Sequence, residues 1–190
     1  VLKILFKIYS KVSLSFGKFQ SSIKKKYYMV ISEGRFYFHP SVFLGPGFSL
    51  TNTSISSQIH FENGVHLRGN FSLFVEGNAN VHIGENTFFN NGCSLNCHQK
   101  IKIGRNCLFG EAVKIYDHNH SFNDFSKPIS NQGFSTGAII IGDNCWIGSN
   151  VVILKNVSIG DNTIIGAGCI IHKSIPAGQV IVNKQELSCL

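Results

Sequence analysis

The sequence predicts an all-β chain wound into a column of short stacked strands, and three observations carry that expectation. Isoleucine recurs at 141, 147, 153, 159, 165 and 171, a strict period of six, with glycine directly after it at 142, 148, 160 and 166. A helical face returns about every 3.6 residues and a lone strand alternates at two, so neither explains this period. Four residues after the isoleucines stand Cys145, Val151, Val157, Thr163 and Cys169, all small or β-branched. Each unit therefore offers two inward positions and then a turn that glycine, asparagine or aspartate enters readily. One such unit cannot bury its own apolar face, so the chain must coil; three units per coil superimpose residues roughly 18 apart.

The elements follow in order. Residues 1–35 read as a basic helical segment, with Leu2, Leu5, Phe6, Tyr9 and Val12 on one face. Two roles are open for it: a cap over the first coil, whose unpaired strand edges invite aggregation, or a helix lying on an anionic membrane. Residues 36–57 carry turn signals such as Gly45-Pro46-Gly47 and read as early, irregular coils. From Ile59 the register runs through Val65, Phe71, Gly77, Ile83, Phe89, Leu95 and Ile101, with Gly77 at an apolar position. It then slips by two to Ile103, Phe109 and Ile115, which predicts a longer corner around His98 to Lys100. After Ile115 the repeat vanishes until Ile139 to Ile141. The polar interruption, 116–138, adds about twenty residues, and a loop of that length inside a compact repeat is usually functional. The coil is expected over 36–175, with a tail at 176–190.

Nineteen glycines and 14% charged residues suit a turn-rich β architecture. No apolar run reaches the 18 or so residues of a membrane span, and no signal peptide with a cleavage site is evident. The chain opens on valine, so further N-terminal sequence is expected. Cys93, Cys107, Cys145 and Cys169 occupy the small inward slot and read as reduced structural thiols of a cytosolic protein; Cys97 and Cys189 fall outside that pattern. Residues 1–35 hold eight basic residues against one acidic, the whole net charge of +7, and the rest is neutral. No nucleic-acid motif accompanies the lysines, so nucleic acid is not an expected partner.

Over roughly residues 58–175 the pattern resembles the hexapeptide-repeat acyltransferases, in particular the maltose, galactoside and polysaccharide O-acetyltransferases. The resemblance implies a left-handed parallel β-helix of triangular section; general rules alone favour a right-handed crossover. It places the family's essential histidine at the entry to the excursion, in Asp117-His118-Asn119-His120. Aligning Val113-Lys114-Ile115 puts His120 on that position, with His118 as the second candidate base and Asp117 as an acceptor contact. An imidazole titrating near pH 6.5 can take the proton of a hydroxyl as it attacks a thioester, with no covalent enzyme intermediate. The resemblance further implies oxyanion donors at the backbone N–H of Ser149 and the side chain of Asn90, although a corner asparagine can equally stabilise its own turn. Trp146, the sole tryptophan, together with Ala167, His172 and Lys173 matches the coenzyme A segment. The tail Val180-Ile181-Val182-Asn183-Lys184-Gln185 departs from the family pattern and leaves the nucleotide contacts open, with Lys184 as a substitute.

The expected function is transfer of an acetyl group from acetyl-CoA to a sugar hydroxyl, in a surface or capsular polysaccharide or its precursor. The expected setting is a homotrimer in the cytoplasm, at the inner face of the membrane if residues 1–28 touch lipid, with no metal. Two other readings stand beside it. One is a γ-carbonic-anhydrase-like zinc enzyme using His98, His118 and His120, which lack the wide histidine spacing of such enzymes. The other is a catalytically silent scaffold, which has no use for the His120 loop, Trp146 and Ala167 to Lys173 together.

Overall fold

The computed structural model describes residues 2–184, with side chains given for residue 13 and for 15–184. A single helix, α1 (Leu2–Ile31), precedes a parallel β-solenoid with three sides. The first face stacks Phe36–Phe38, Gln58–Phe61, Asn80–Ile83, Lys100–Ile103, Ile139–Ile141 and Ser158–Ile159. The second stacks Phe43–Leu44, His66–Leu67, Phe88–Phe89, Leu108–Phe109, Trp146–Ile147, Ile164–Ile165 and Val180–Ile181. The third stacks Ser49–Asn52, Ser72–Val75, Ser94–Cys97, Lys114–Tyr116, Val152–Ile153 and Ile170–Ile171.

Coil length varies along the column. Phe36 pairs with Ile59, Ile59 with Val81 and Val81 with Ile101, steps of 23, 22 and 20 residues. Ile101 pairs with Ile139, a step of 38, and Ile141 with Ile159, a step of 18. The excursion therefore adds 38 − 18 = 20 residues, as the interrupted period implies. Only the coil after the excursion has the expected step of 18; the earlier ones are wider, and the last, from Ile164 to Val180, takes 16. Two corners are constant: a second-face strand always starts five positions after a first-face strand ends, as in Phe61 to His66 or Ile141 to Trp146. The same holds between the second and third faces. All the variation falls on the third edge, where the chain returns to the first face. Gly77 lies there in a turn, exposed and at φ +66°, and is not an interior position.

The constant corners explain the turn residues. Asn86, Asn106, Asn144 and Asn162 stand one above the other at φ between +55° and +58°, and Asn70 and Asn150 occupy the equivalent column at the next corner. This left-handed conformation is one that asparagine and glycine enter at least cost. Ala112 is the exception in its column, at φ +54°.

One core fills the column. Its wide N-terminal coils use phenylalanine, with Phe38, Phe61, Phe71, Phe89 and Phe109 at 1% exposure or less, and its narrower C-terminal coils use isoleucine. Interiors pack to near-crystalline density, so a longer perimeter needs bulkier side chains. Cys93, Cys97, Cys107, Cys145 and Cys169 are all buried and unpaired by disulfides, and burial pushes the Cys93 thiol up to about 11. Cys97, unplaced by the repeat, is the second inward residue of the four-residue strand Ser94–Cys97; Cys189 lies outside the described residues.

Helix α1 caps the first coil. The Ser21 hydroxyl accepts the Leu44 N–H at 2.8 Å, Lys25 Nζ donates to the carbonyls of Val42 at 2.7 Å and of Pro40, and Ser32 accepts the Phe36 N–H at 3.1 Å. These bonds satisfy backbone groups that an open coil end would leave unpaired. The face read at Leu2, Leu5, Phe6, Tyr9 and Val12 lies outside the residues whose side chains are described. At the other end Val180–Ile181 pairs with Ile164–Ile165, so the coil continues past the expected stop at residue 175.

Phe89 is fully buried and stacks on Phe109 at 4.2 Å. Phe89→Ala is expected to cost about 3–5 kcal/mol in urea denaturation; a loss below about 1 kcal/mol would contradict a close-packed interior at this coil.

Candidate functional site

The excursion leaves the third edge and closes on itself as an antiparallel pair, His118–His120 against Phe134–Thr136, with His120 opposite Phe134. Its root is Asp117, fully buried. The Asp117 carboxylate accepts the backbone N–H groups of His98, Gln99 and Lys100, each at 2.8 Å, and the Cys97 thiol at 3.2 Å. One carboxylate thus satisfies a whole corner of the coil beneath, which is what makes its burial affordable. The expectation that Asp117 touches an acceptor is corrected here: it has no exposed surface, and it positions the root of the loop.

His98 and His118 follow one another on adjacent coils, and their rings stack at 3.6 Å. His118 Nδ1 lies 3.4 Å from Asp117 Oδ1, and His98 Nε2 lies 3.6 Å from Glu76. Burial, and then the neighbouring His118, lowers the pKa of His98 below that of a free imidazole. Phe134 packs against all three rings, at 4.6 Å from His98, 5.2 Å from His118 and 4.6 Å from His120. His118 is thus enclosed, with its side chain 15% exposed, whereas His120 is open to solvent. Among the described residues His98, His118 and His120 do not bring one ligand atom each within 4.8 Å of one another, so within one chain they form no three-ligand cluster. Phe134 was invisible to periodicity because the excursion has none.

The other expected residues sit at the corner between the second and third faces. Trp146 is 56% exposed on the outer surface of the second face, above Leu108. Ser149 and Asn90 are brought together by Glu111, which accepts the Ser149 hydroxyl at 2.8 Å and an Asn90 amide N–H. The Ser149 hydroxyl and, beyond it, Arg68 and Asn90 hold the Glu111 carboxyl below its ordinary value. Asn90 Oδ1 accepts the Asn91 N–H at 2.9 Å and Arg68 at 3.0 Å, so the asparagine does stabilise its own turn and keeps one N–H for a ligand.

A column of backbone donors runs up this corner. The Gly69 N–H is taken by Asn91 Oδ1 at 3.0 Å and the Glu111 N–H by Ser149 Oγ at 3.2 Å. These two N–H groups are satisfied by the side chain stacked on them and the Asn91 N–H by its neighbour Asn90, but the residue stacked on Ser149 is Ala167, which carries no acceptor. Among the described residues the N–H groups of Ser149 and Ala167 have no hydrogen-bond partner. Coil contact here is close: a Cβ on Gly148 would stand 2.6 Å from the Ala167 nitrogen. His172 and Lys173 are exposed on the third edge, with the third face between them and Ala167; Lys184 is exposed beyond the last strand.

Within one chain, then, the structure gathers Trp146, Ser149, Asn90 and Ala167 at one corner and His118 and His120 at another. The third face separates the two groups.

Residues 138–173 match the family described as bacterial transferase hexapeptide (six repeats). The chain is 32% identical over 109 residues to a Dictyostelium discoideum protein described provisionally as an acetyltransferase, covering 57% of this chain and 56% of that protein. It is 29% identical over 153 residues to WbbJ of Escherichia coli K12, described provisionally as a lipopolysaccharide biosynthesis O-acetyl transferase, covering 77% and 76% respectively. A hexapeptide-repeat acetyltransferase from Vibrio cholerae, solved with acetyl coenzyme A, shares the fold with a TM-score of 0.53. That likeness has 22% identity and covers 78% of this chain and 66% of that one. The chain spans about half the length of the Dictyostelium relative.

Proposed function

We propose that this chain, which matches the hexapeptide transferase family over residues 138–173, is an O-acetyltransferase moving an acetyl group from acetyl-CoA to a sugar hydroxyl of a surface polysaccharide or its precursor. The unpaired donors at Ser149 and Ala167, beside exposed Trp146, carry the reading. A thioester carbonyl and an amide-rich pantetheine arm offer acceptors that suit such donors.

In this reading the sugar hydroxyl oxygen attacks the acetyl carbonyl carbon while His120 takes its proton. The tetrahedral oxyanion is held by the Ser149 N–H and the remaining Asn90 N–H. The C–S bond then breaks, and His120 returns the proton to the departing thiolate. His120 fits this role better than His118, because a base must reach its acceptor and His118 is enclosed between His98 and Phe134. Trp146 and Ala167 line the pantetheine arm, and exposed His172 and Lys173 meet the phosphates across the third face. The acceptor branch rests on the likeness to WbbJ.

A complete site needs two copies of the chain, since the base and the oxyanion donors lie on opposite sides of the third face. We place the excursion of one copy against the Ser149 corner of the next in a homotrimer. The exposed Phe122 and Phe125, at 61% and 97%, are suited to that contact.

Membrane contact extends the same proposal. No helix among the described residues is long and apolar enough to cross a membrane. Yet Phe16, Phe19, Ile23, Tyr27 and Val30 are 52–76% exposed at spacings of three and four, a stripe turned away from the coil, with exposed Lys18 and Lys26 on the same helix. Such a helix lies on an anionic surface and brings the enzyme to a lipid-borne acceptor at the inner face of the membrane.

His120→Ala is expected to lower turnover by about 10²–10⁴-fold with acetyl-CoA affinity unchanged, read by free-thiol release with sugar acceptors. Retained turnover would move the base elsewhere. Ala167→Ser supplies the Ser149 N–H with an acceptor and should lower turnover by up to about 10²-fold; full activity would remove that N–H from the mechanism. Sedimentation with vesicles should show binding to anionic but not zwitterionic lipid, weakened by Phe19→Asp, and equal binding of the variant would reject the helix as the contact.

A further inference from the structure

We infer that the first face carries a binding site for a divalent transition-metal ion, made by His60, Glu62 and His82 and separate from the groups proposed for acetyl transfer. His60 lies in the strand Gln58–Phe61 and Glu62 follows directly after its end, two positions on, with its carboxylate beside the His60 ring on the outer surface. His82 is the direct partner of His60 on the next coil, and the two rings stack at 5.4 Å. The Glu62 Oε1 atom lies 3.1 Å from His60 Nε2 and 3.2 Å from His82 Nε2, and one ligand atom from each residue falls within 4.8 Å of the others.

Those separations are what a common metal centre requires. Zinc holds nitrogen and carboxylate oxygen at about 2.0–2.2 Å, so tetrahedral ligand atoms stand about 3.3 Å apart. The two Glu62 contacts match that edge, and the remaining pair lies within 4.8 Å. Two imidazoles and one carboxylate suit a borderline cation such as Zn²⁺ and give too few oxygens for Mg²⁺ or Ca²⁺. The three groups are about one third to one half exposed, which leaves the fourth position to water. The ion would tie two neighbouring coils together. His82 Nδ1 is enclosed without a hydrogen-bond partner among the described residues, so the site lacks the outer support that tightens metal binding. Micromolar affinity is therefore expected, weaker than that of a four-ligand structural site.

The test is calorimetric titration of untagged full-length chain with ZnCl₂, and with MgCl₂ as the contrasting cation, alongside urea unfolding with and without zinc. One zinc per chain, a raised urea midpoint and no magnesium binding are expected. His82→Asn and Glu62→Gln should each weaken zinc binding about tenfold or more while keeping the metal-free urea midpoint, because both side chains are partly exposed. His66→Asn, on the second face, should leave zinc binding unchanged. Unaltered zinc affinity in His82→Asn or Glu62→Gln would overturn the assignment, as would no zinc uptake by the unaltered chain at about 100 μM metal.

Discussion

The parallel backbone ladder between coils is the constraint on which the rest depends. Strand N–H groups and many corner N–H groups of one coil are answered by carbonyls of the coils next to it, and two corners of the prism keep one length from end to end. Added or lost residues have only the third edge at which to appear. That edge shortens along the column and bears the 20-residue excursion, whose root is held by Asp117 against the three N–H groups below it. Regularity at two corners is thus what delivers His118 and His120 to a defined place at the third.

The same ladder creates the opposite corner. Where the stacked residue offers an acceptor, the donor beneath is consumed, as with Glu111 under Ser149. Where it is alanine, as with Ala167 over Ser149, the donor is left over. Small side chains in a repeat are usually ascribed to packing; here one also withholds an acceptor. The aromatic and imidazole stacks on the outer faces have the same origin, since equivalent positions on neighbouring coils are brought face to face.

How much of this was legible depended on coil length. The isoleucine period was plain over 139–171, where the step is 18, and the parallel coil, the inward cysteines, the exposed Trp146 and the size of the excursion could all be read from it. Upstream the wider coils hide the step. Gly77 was taken into the interior because the turn at the third edge had grown, and an 18-residue step places Asn78 over His60, where the true step of 22 brings His82. The His60, Glu62 and His82 cluster could not be seen for that reason. Asp117 was misplaced for another: a carboxylate in a polar loop reads as exposed until the three N–H groups it serves are located. The pairing of His120 with Phe134 has no counterpart in any repeat.

The central claim is that one chain presents His120 to the Ser149 corner of another copy. It is tested most directly by co-assembling two impaired variants, His120→Ala and Ala167→Ser, from denaturant and measuring acetyl transfer from acetyl-CoA. The account predicts activity well above that of either variant alone, because mixed assemblies regain sites with an intact base and an intact donor. Activity no higher than the average of the separate variants would contradict it.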